Sequence, residues 1–224
     1  YIQQGEKLGF KPAPLTLASN LQTTNAQDIR NNYRADWESE EEVALLWDKI
    51  KQYVPKLASD LADCAESGEG FEVVGLNPFI KFYRYAPGEH FGPHKDGISE
   101  RPLKVEPIPD DENHGLATEE KSFLTCLFYL NTVPNGGGET KFLTREENGS
   151  FTLRFAVSPQ QGACLLFTQR QWHEGAELNP SNEPNTFKYV LRSDVMYRRQ
   201  FKLKQEERMT GELPSSWPKY CNIL

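Results

Sequence analysis

Histidine is scarce in this chain, with only His90, His94, His114 and His173, so the company each one keeps is informative. His94 and Asp96 are two residues apart in the stretch that begins Tyr85-Ala-Pro-Gly-Glu-His. On a strand that spacing sends both side chains from one face, because successive residues alternate sides. An imidazole and a carboxylate presented together form two corners of a metal site. A third ligand would complete a 2-His-1-carboxylate set, which leaves positions open on a ferrous ion for substrate and O2. The candidate is His173, just past the apolar run ending at Phe167, whereas His114 lies among Asp110, Asp111 and Glu112, a poor setting for a rigid ligand. By itself His-x-Asp is a weak pattern, and most such pairs are surface residues.

A second group of residues could bind an organic anion. In the stretch 187–197, Lys188, Val190, Arg192 and Asp194 share one strand face. A lysine among apolar neighbours needs a counter-charge or a shifted pKa, and a bound dicarboxylate would supply that charge. The plainer alternative is that Arg192 pairs with Asp194 while Lys188 extends its ammonium to solvent.

These residues must be positioned by the surrounding elements. From Phe71 onward, short β-branched and aromatic runs alternate with Gly, Pro and Asn at 71–74, 79–85, 121–131, 139–144, 151–157, 163–168 and 187–197. Seven strands with no helix-length pattern between them predict a mainly β sandwich or barrel. Before them, residues 1–70 read as a helical layer. Ser39-Glu40-Glu41-Glu42 is a capping box, and Val43, Leu46, Trp47, Ile50 and Val54 follow at helical spacing. Leu57, Leu61 and Ala65 continue a similar period beyond Pro55, and Asn31-Asn32 favours a turn. Segments 97–120 and 176–186 read as long loops, the first of them acidic and solvated. Residues 201–224 read as a tail. The expected architecture is one domain over 1–224, with helical support (1–70), a jelly-roll core (71–200) and the tail.

Composition narrows the function classes. The 224 residues carry 25 Lys+Arg against 32 Asp+Glu, a net charge of −7, which repels phosphate backbones. Nucleic acid is therefore not an expected partner. No apolar run reaches the ~20 residues of a membrane-spanning helix. Cys64, Cys126, Cys164 and Cys221 form no CxxC motif, and two of them sit in apolar runs, as free cysteines do. A reducing, cytoplasmic setting is the expectation. The sequence begins at Tyr1, which leaves room for a trimmed leader, and its Cys221-Asn-Ile-Leu ending only loosely matches a prenylation box. Asn148-Gly149-Ser150 reads as a hairpin turn rather than a glycosylation site.

Taken in order, these residues resemble the 2-oxoglutarate/Fe(II)-dependent oxygenases, in their prolyl 4-hydroxylase-like branch. The resemblance runs from about Phe79 to Tyr197. It rests on Tyr85, Pro87 and Gly88 leading to His94 and Asp96; then on Thr125, Leu127, Tyr129 and Leu130; then on Gly137-Gly138-Glu139-Thr140; and last on His173 and Lys188. It implies a double-stranded β-helix in which His94, Asp96 and His173 hold Fe(II). Lys188 would bind the distal carboxylate of 2-oxoglutarate, helped by Tyr85 and Thr125, with Arg192 as the alternate cation. O2 would be the second cosubstrate, and ascorbate an optional reductant. The implied reaction couples decarboxylation of 2-oxoglutarate to succinate with hydroxylation of a C–H bond, on a prolyl residue of a protein or on a small amino-acid-like metabolite. Phe91 stands where the family often has a second Tyr, and the His173-to-Lys188 gap is longer than usual.

Three other readings use the same residues. A cupin-like jelly roll could hold a metal or ligand without turnover. A nucleic-acid demethylase of the same superfamily would use Arg192 and Arg198, at the spacing of its paired arginines. A zinc hydrolase would need a general base, for which Glu174 is the nearest candidate. The sequence leaves the oligomeric state open.

Overall fold

A computed structural model describes residues 1–14, 29–109, 111–133, 136–180 and 186–204. Their strands form two antiparallel sheets. The larger runs β1 (Lys11–Pro12), β2 (Tyr33–Glu38), β4 (Phe79–Tyr85), β12 (Lys188–Lys204), β7 (Asp111–Tyr129) and β10 (Cys164–Thr168). Two further strands join it, β3 (Glu72–Leu76) on β12 and β6 (Glu100–Ile108) on β7. The smaller sheet orders β5 (Phe91–His94), β11 (His173–Gly175), β8 (Thr140–Arg145) and β9 (Phe151–Val157). Together they make the double-stranded β-helix expected from the sequence.

Strand alternation divides the large sheet into two chemically different faces. On β4, Ile80 and Phe82 turn one way and Tyr83 and Tyr85 the other; on β12, Leu191 and Val195 oppose Lys188, Val190, Arg192 and Asp194. Leu124, Cys126 and Phe128 likewise back Thr125, Leu127 and Tyr129 on β7. The apolar outer face packs against α2 (Glu40–Ile50), whose Val43, Leu46 and Ile50 are buried there. Each such side chain contributes about 1.5–3 kcal/mol. The Ser39 hydroxyl accepts from the Glu42 N–H at 3.3 Å, so the capping box does start this helix. The inner face looks toward the small sheet and carries the polar residues.

Five sequence expectations need correction. The helical layer reduces to α1 (Ile2–Leu8), α2 and two single 3-10 turns. Residues 33–38 form strand β2, which covers the β4 edge with Ala35 inward. Beyond Pro55, Ala58, Leu61 and Cys64 are buried from turns rather than a second helix, because a tight turn can also bring every third residue inward. Segment 97–120 is no loop: β6 and the first half of β7 form a long hairpin. Arg101 pairs with Glu120 across it at 3.1 Å, and Arg199 of β12 holds its Glu119 at 2.7 Å. The tail begins later than expected, since β12 runs through Lys204; Cys221 and the rest of the tail fall outside the described residues, as do residues 181–185 of the 176–186 loop. Asn148-Gly149 does turn β8 into β9, with Gly149 at φ 84°.

Candidate metal centre

The end of β5 and the start of β11 are adjacent strands, and their register sets His173 directly opposite His94. Asp96 follows two residues after His94, where its N–H donates to the Gln169 carbonyl at 3.1 Å. Ligand-capable atoms of His94, Asp96 and His173 all lie within 4.8 Å of one another. His94 Nε2 is 3.7 Å from Asp96 Oδ1, and His173 Nε2 is 3.6 Å from Oδ2. The opposite nitrogens are held alike: Nδ1 of His94 lies 2.8 Å from the Gly92 carbonyl, and Nδ1 of His173 lies 3.0 Å from the Gln171 carbonyl. A carbonyl only accepts, so each Nδ1 carries the proton and each Nε2 lone pair is directed toward the carboxylate.

The protonation states suit a cation. Burial, reinforced by the His173 ring, pushes His94 down to about 3, and burial lowers His173 as well. Burial would raise Asp96, but the Arg192 guanidinium and then the two imidazoles outweigh it and hold the carboxyl at about 2. Two neutral imidazoles and one carboxylate are what a divalent ion requires without first displacing protons.

Asp96 is fixed from behind. Its Oδ1 accepts from Arg192 Nη1 at 2.5 Å and its Oδ2 from the Thr125 hydroxyl at 2.6 Å. Arg192 also pairs with Asp194, whose other oxygen accepts from Ser99 at 2.7 Å. The Arg192–Asp194 pair considered from sequence thus exists, and it extends to the metal-site carboxylate. Sequence patterns offered no signal for the Arg192–Asp96 contact, because 96 residues separate the partners.

Lys188 does not reach solvent: it is 2% exposed, and its ammonium lies 4.6 Å from the centre of the Tyr85 ring. Burial pulls it down to about 8, only partly opposed by Glu139, and no ion pair joins it to a carboxylate among the described residues. Tyr83, Tyr85, Phe91, Leu127, Thr140, Gly175 and Val190 complete the cavity that contains this lysine and the His/Asp/His set. Gly137 and Gly138, both at positive φ, carry the chain past it; a Cβ on Gly138 would sit 3.1 Å from Lys188 Cδ. Gly138 therefore makes room for the lysine stem, while Gly137 lets the chain pass the backbone at Glu177 and Asn179.

Other sequence candidates fall elsewhere. Arg198 leaves the cavity and pairs with Glu120 at 2.6 Å. Glu174 turns away from His173 to Lys141 at 3.4 Å. Trp172, just before β11, lies against Phe151, Lys95 and Arg145, a rim position. His114 bonds Asp111 at 2.9 Å in the hairpin.

A sequence profile of the 2OG-Fe(II) oxygenase superfamily matches residues 80–191, the span from β4 through the cavity face of β12. The chain belongs to this superfamily. Its members use Fe(II), 2-oxoglutarate and O2, and the site fits them: an ionised carboxylate between two neutral imidazoles and, in the same cavity, the buried Lys188 ammonium with no ion pair among the described residues. Structural likenesses are distant. A prolyl-4-hydroxylase from Pseudomonas putida superposes with a TM-score of 0.46 at 14% identity, covering 85% of this chain and 79% of its own. The viral collagen prolyl hydroxylase of Paramecium bursaria Chlorella virus-1, solved with 2OG, gives 0.40 at 17% identity, covering 75% and 79%. The α-ketoglutarate-dependent epimerase SnoN of nogalamycin biosynthesis gives 0.37 at 14% identity, covering 84% and 70%. No curated protein sequence matches the oxygenase. Among its described residues no helix is long and apolar enough to cross a membrane.

Proposed function

We propose that this oxygenase hydroxylates a C–H bond of a prolyl residue or a small amino-acid-like metabolite, with His94, Asp96 and His173 holding Fe(II) and Lys188 holding the distal carboxylate of 2-oxoglutarate. When bound, the metal supplies O2 activation coupled to decarboxylation of 2-oxoglutarate to succinate and CO2. The residues contribute binding and orientation. The observation that carries the reading is the buried Lys188, without an ion pair among the described residues, in the same cavity as the His/Asp/His set. A carboxylate beside its ammonium would form the charge-assisted bond that its burial otherwise lacks. The Tyr85 hydroxyl, kept protonated because burial raises its pKa, is a further donor in that cavity. Phe91 in place of a second tyrosine removes one hydroxyl and stacks instead on His94, ring centres 3.5 Å apart.

A succinate-release assay with N-acyl prolines, prolyl peptides and free amino acids tests this reading. It predicts succinate formed in step with a hydroxylated product by the unaltered protein, and none by His94→Ala. Succinate release that is insensitive to His94→Ala, or absent for every substrate in the panel, would count against it.

A further inference from the structure

The segment Arg30-Asn31-Asn32 closes the gap between the two sheets at the metal end of the cavity. Arg30 forms an isolated β-bridge with Phe91 of β5, and the Asn31 side chain accepts from the His90 N–H at 2.7 Å. On the other side, the Asn32 carbonyl accepts from the Ala13 N–H at 2.9 Å. The backbone is thus tied to both layers.

Its side chains are not satisfied to match. Arg30 is 9% exposed and Asn32 is 1% exposed. Arg30 Nε donates to Asn32 Oδ1 at 2.7 Å, but Arg30 Nη2 and Asn32 Nδ2 have no hydrogen-bond partner, and Arg30 has no ion pair among the described residues. Two buried donors without an acceptor are costly, and one of them belongs to a charged group. Gln169 Nε2 is also unpaired, but it is a lone, uncharged donor.

The surroundings point to the missing acceptor. The Arg30 guanidinium carbon lies 5.0 Å from the Tyr83 ring centre and 4.1 Å from that of Phe91. Both rings line the metal cavity, and Phe91 stacks on His94. One aromatic ring therefore separates the unpaired donors from a metal-site imidazole. A carboxylate offers two acceptor oxygens and the neutralising charge, whereas water offers no charge.

We propose that Arg30 and Asn32 form a carboxylate-binding subsite that anchors a small carboxylic-acid substrate, such as an amino acid, beside the metal centre. One substrate oxygen accepts from Arg30 Nη2 and the other from Asn32 Nδ2. Phe91 lies between this subsite and the cavity. The fate of the anchored substrate rests on the oxygenase reading above; the anion site itself does not. The carboxylate could also come from 2-oxoglutarate, but Lys188 already serves that ligand.

The test uses the full-length, metal-free protein and follows the Arg30 Nε–Hε NMR resonance, assigned by its loss in Arg30→Lys. Acetate and acetamide are titrated as probes of equal shape and different charge, and 2-oxoglutarate as the rival source. Acetate should shift the resonance saturably, and acetamide at the same concentration should give less than a tenth of that shift. Asn32→Asp supplies a carboxylate from within and should abolish the acetate response. Should that variant prove unstable, acetate should raise the melting temperature of the unaltered protein and not that of Arg30→Gln. Equal responses to acetate and acetamide, or none to either, would overturn the anion subsite. A tighter response to 2-oxoglutarate than to acetate would assign the site to the cosubstrate and overturn the substrate anchor. A normal acetate response in a protein that binds no Fe(II)–2-oxoglutarate would fail the oxygenase reading alone.

Discussion

Arg192 Nη1 lies 2.5 Å from Oδ1 of Asp96, and the same guanidinium holds Asp194 at 3.0 Å. The two carboxylates together more than offset the burial that opposes the charge of Arg192, raising its pKa further. One cation therefore neutralises two buried anions, one of them in the metal centre. Removing it leaves both uncompensated. Arg192→Met should lose about 3–5 kcal/mol of stability in urea unfolding, the scale for breaking a buried pair. Arg192→Lys should recover only part of this, because an ammonium cannot span both carboxylates with a planar fork. A loss below about 1 kcal/mol for the Met variant would mean that the pair contributes little.

Asp96 also gives the fold an acid limit. Its carboxyl is held at about 2, below the ordinary 3.8, so its contribution is present above about pH 4 and lost as pH falls toward 2. In Arg192→Met the main lowering influence is gone, so the folded-state pKa rises and the acid-linked loss becomes smaller and ends at a higher pH. Urea unfolding at several acidic pH values reads the displacement directly.

Thr125 donates its hydroxyl to Asp96 Oδ2, which makes it an orienting group for the metal-site carboxylate. Thr125→Val keeps the shape and removes the donor. Fe(II) affinity should fall roughly 10–100-fold, the usual cost of losing a hydrogen bond to a metal ligand. Affinity for 2-oxoglutarate at saturating metal should change less. The reverse pattern would make Thr125 a cosubstrate ligand, as its place in the sequence motif implies.

With Lys188 in its proposed role, its titration sets an alkaline limit on cosubstrate binding. Its pKa is about 8 in the ligand-free protein against 10.5 unperturbed, and a carboxylate requires the ammonium form. Above about pH 8 the dissociation constant of 2-oxoglutarate should rise toward tenfold per pH unit, and Lys188→Arg should remove the break. Stability of the ligand-free protein should move the opposite way. The lysine binds protons more tightly when unfolded, so its unfavourable burial is relieved as pH rises from about 8 to 10.5. Isothermal titration and urea unfolding across pH 7–10 check both signs.

Glycine substitutions separate space from backbone strain. Gly138 and Gly149 both have positive φ, 69° and 84°, but only Gly138 abuts Lys188; nothing lies within 4 Å of a Cβ on Gly149. Gly149→Ala should cost about 1–2 kcal/mol from the left-handed backbone alone and leave 2-oxoglutarate affinity unchanged. Gly138→Ala should cost at least as much and also weaken 2-oxoglutarate, because the added methyl presses on the lysine stem. Equal cosubstrate affinities in the two variants would remove Gly138 from the pocket.

The site was more legible than its supports. The one-face set from Lys188 to Asp194 depends only on strand alternation, which a short spacing records; His94-x-Asp96 was read by the same rule, although Asp96 lies just past the end of β5. The Ser39 cap and the apolar positions of α2 are local as well. The β6–β7 hairpin was illegible because its strands lack an apolar face: β6 contains Pro102 and Pro107 and is mostly exposed, and cross-strand ion pairs hold it. Tyr33–Glu38 was read as part of the helical layer, since an edge strand buries few residues, here only Ala35. The supports of Asp96 and the unpaired donors of Arg30 and Asn32 were hidden for a different reason. They arise from contacts between distant parts of the chain, and no periodicity encodes them.

The central claim is one cavity that binds Fe(II) through His94, Asp96 and His173 and 2-oxoglutarate through Lys188. An anaerobic titration of the metal-free protein with Fe(II) and 2-oxoglutarate tests it most directly, through the visible charge-transfer band of the chelated cosubstrate. The account predicts a band that saturates at one equivalent of metal, disappears in His94→Ala and Asp96→Ala, and needs far more 2-oxoglutarate in Lys188→Ala. Stoichiometric metal binding without any band, or a band indifferent to all three substitutions, would contradict it.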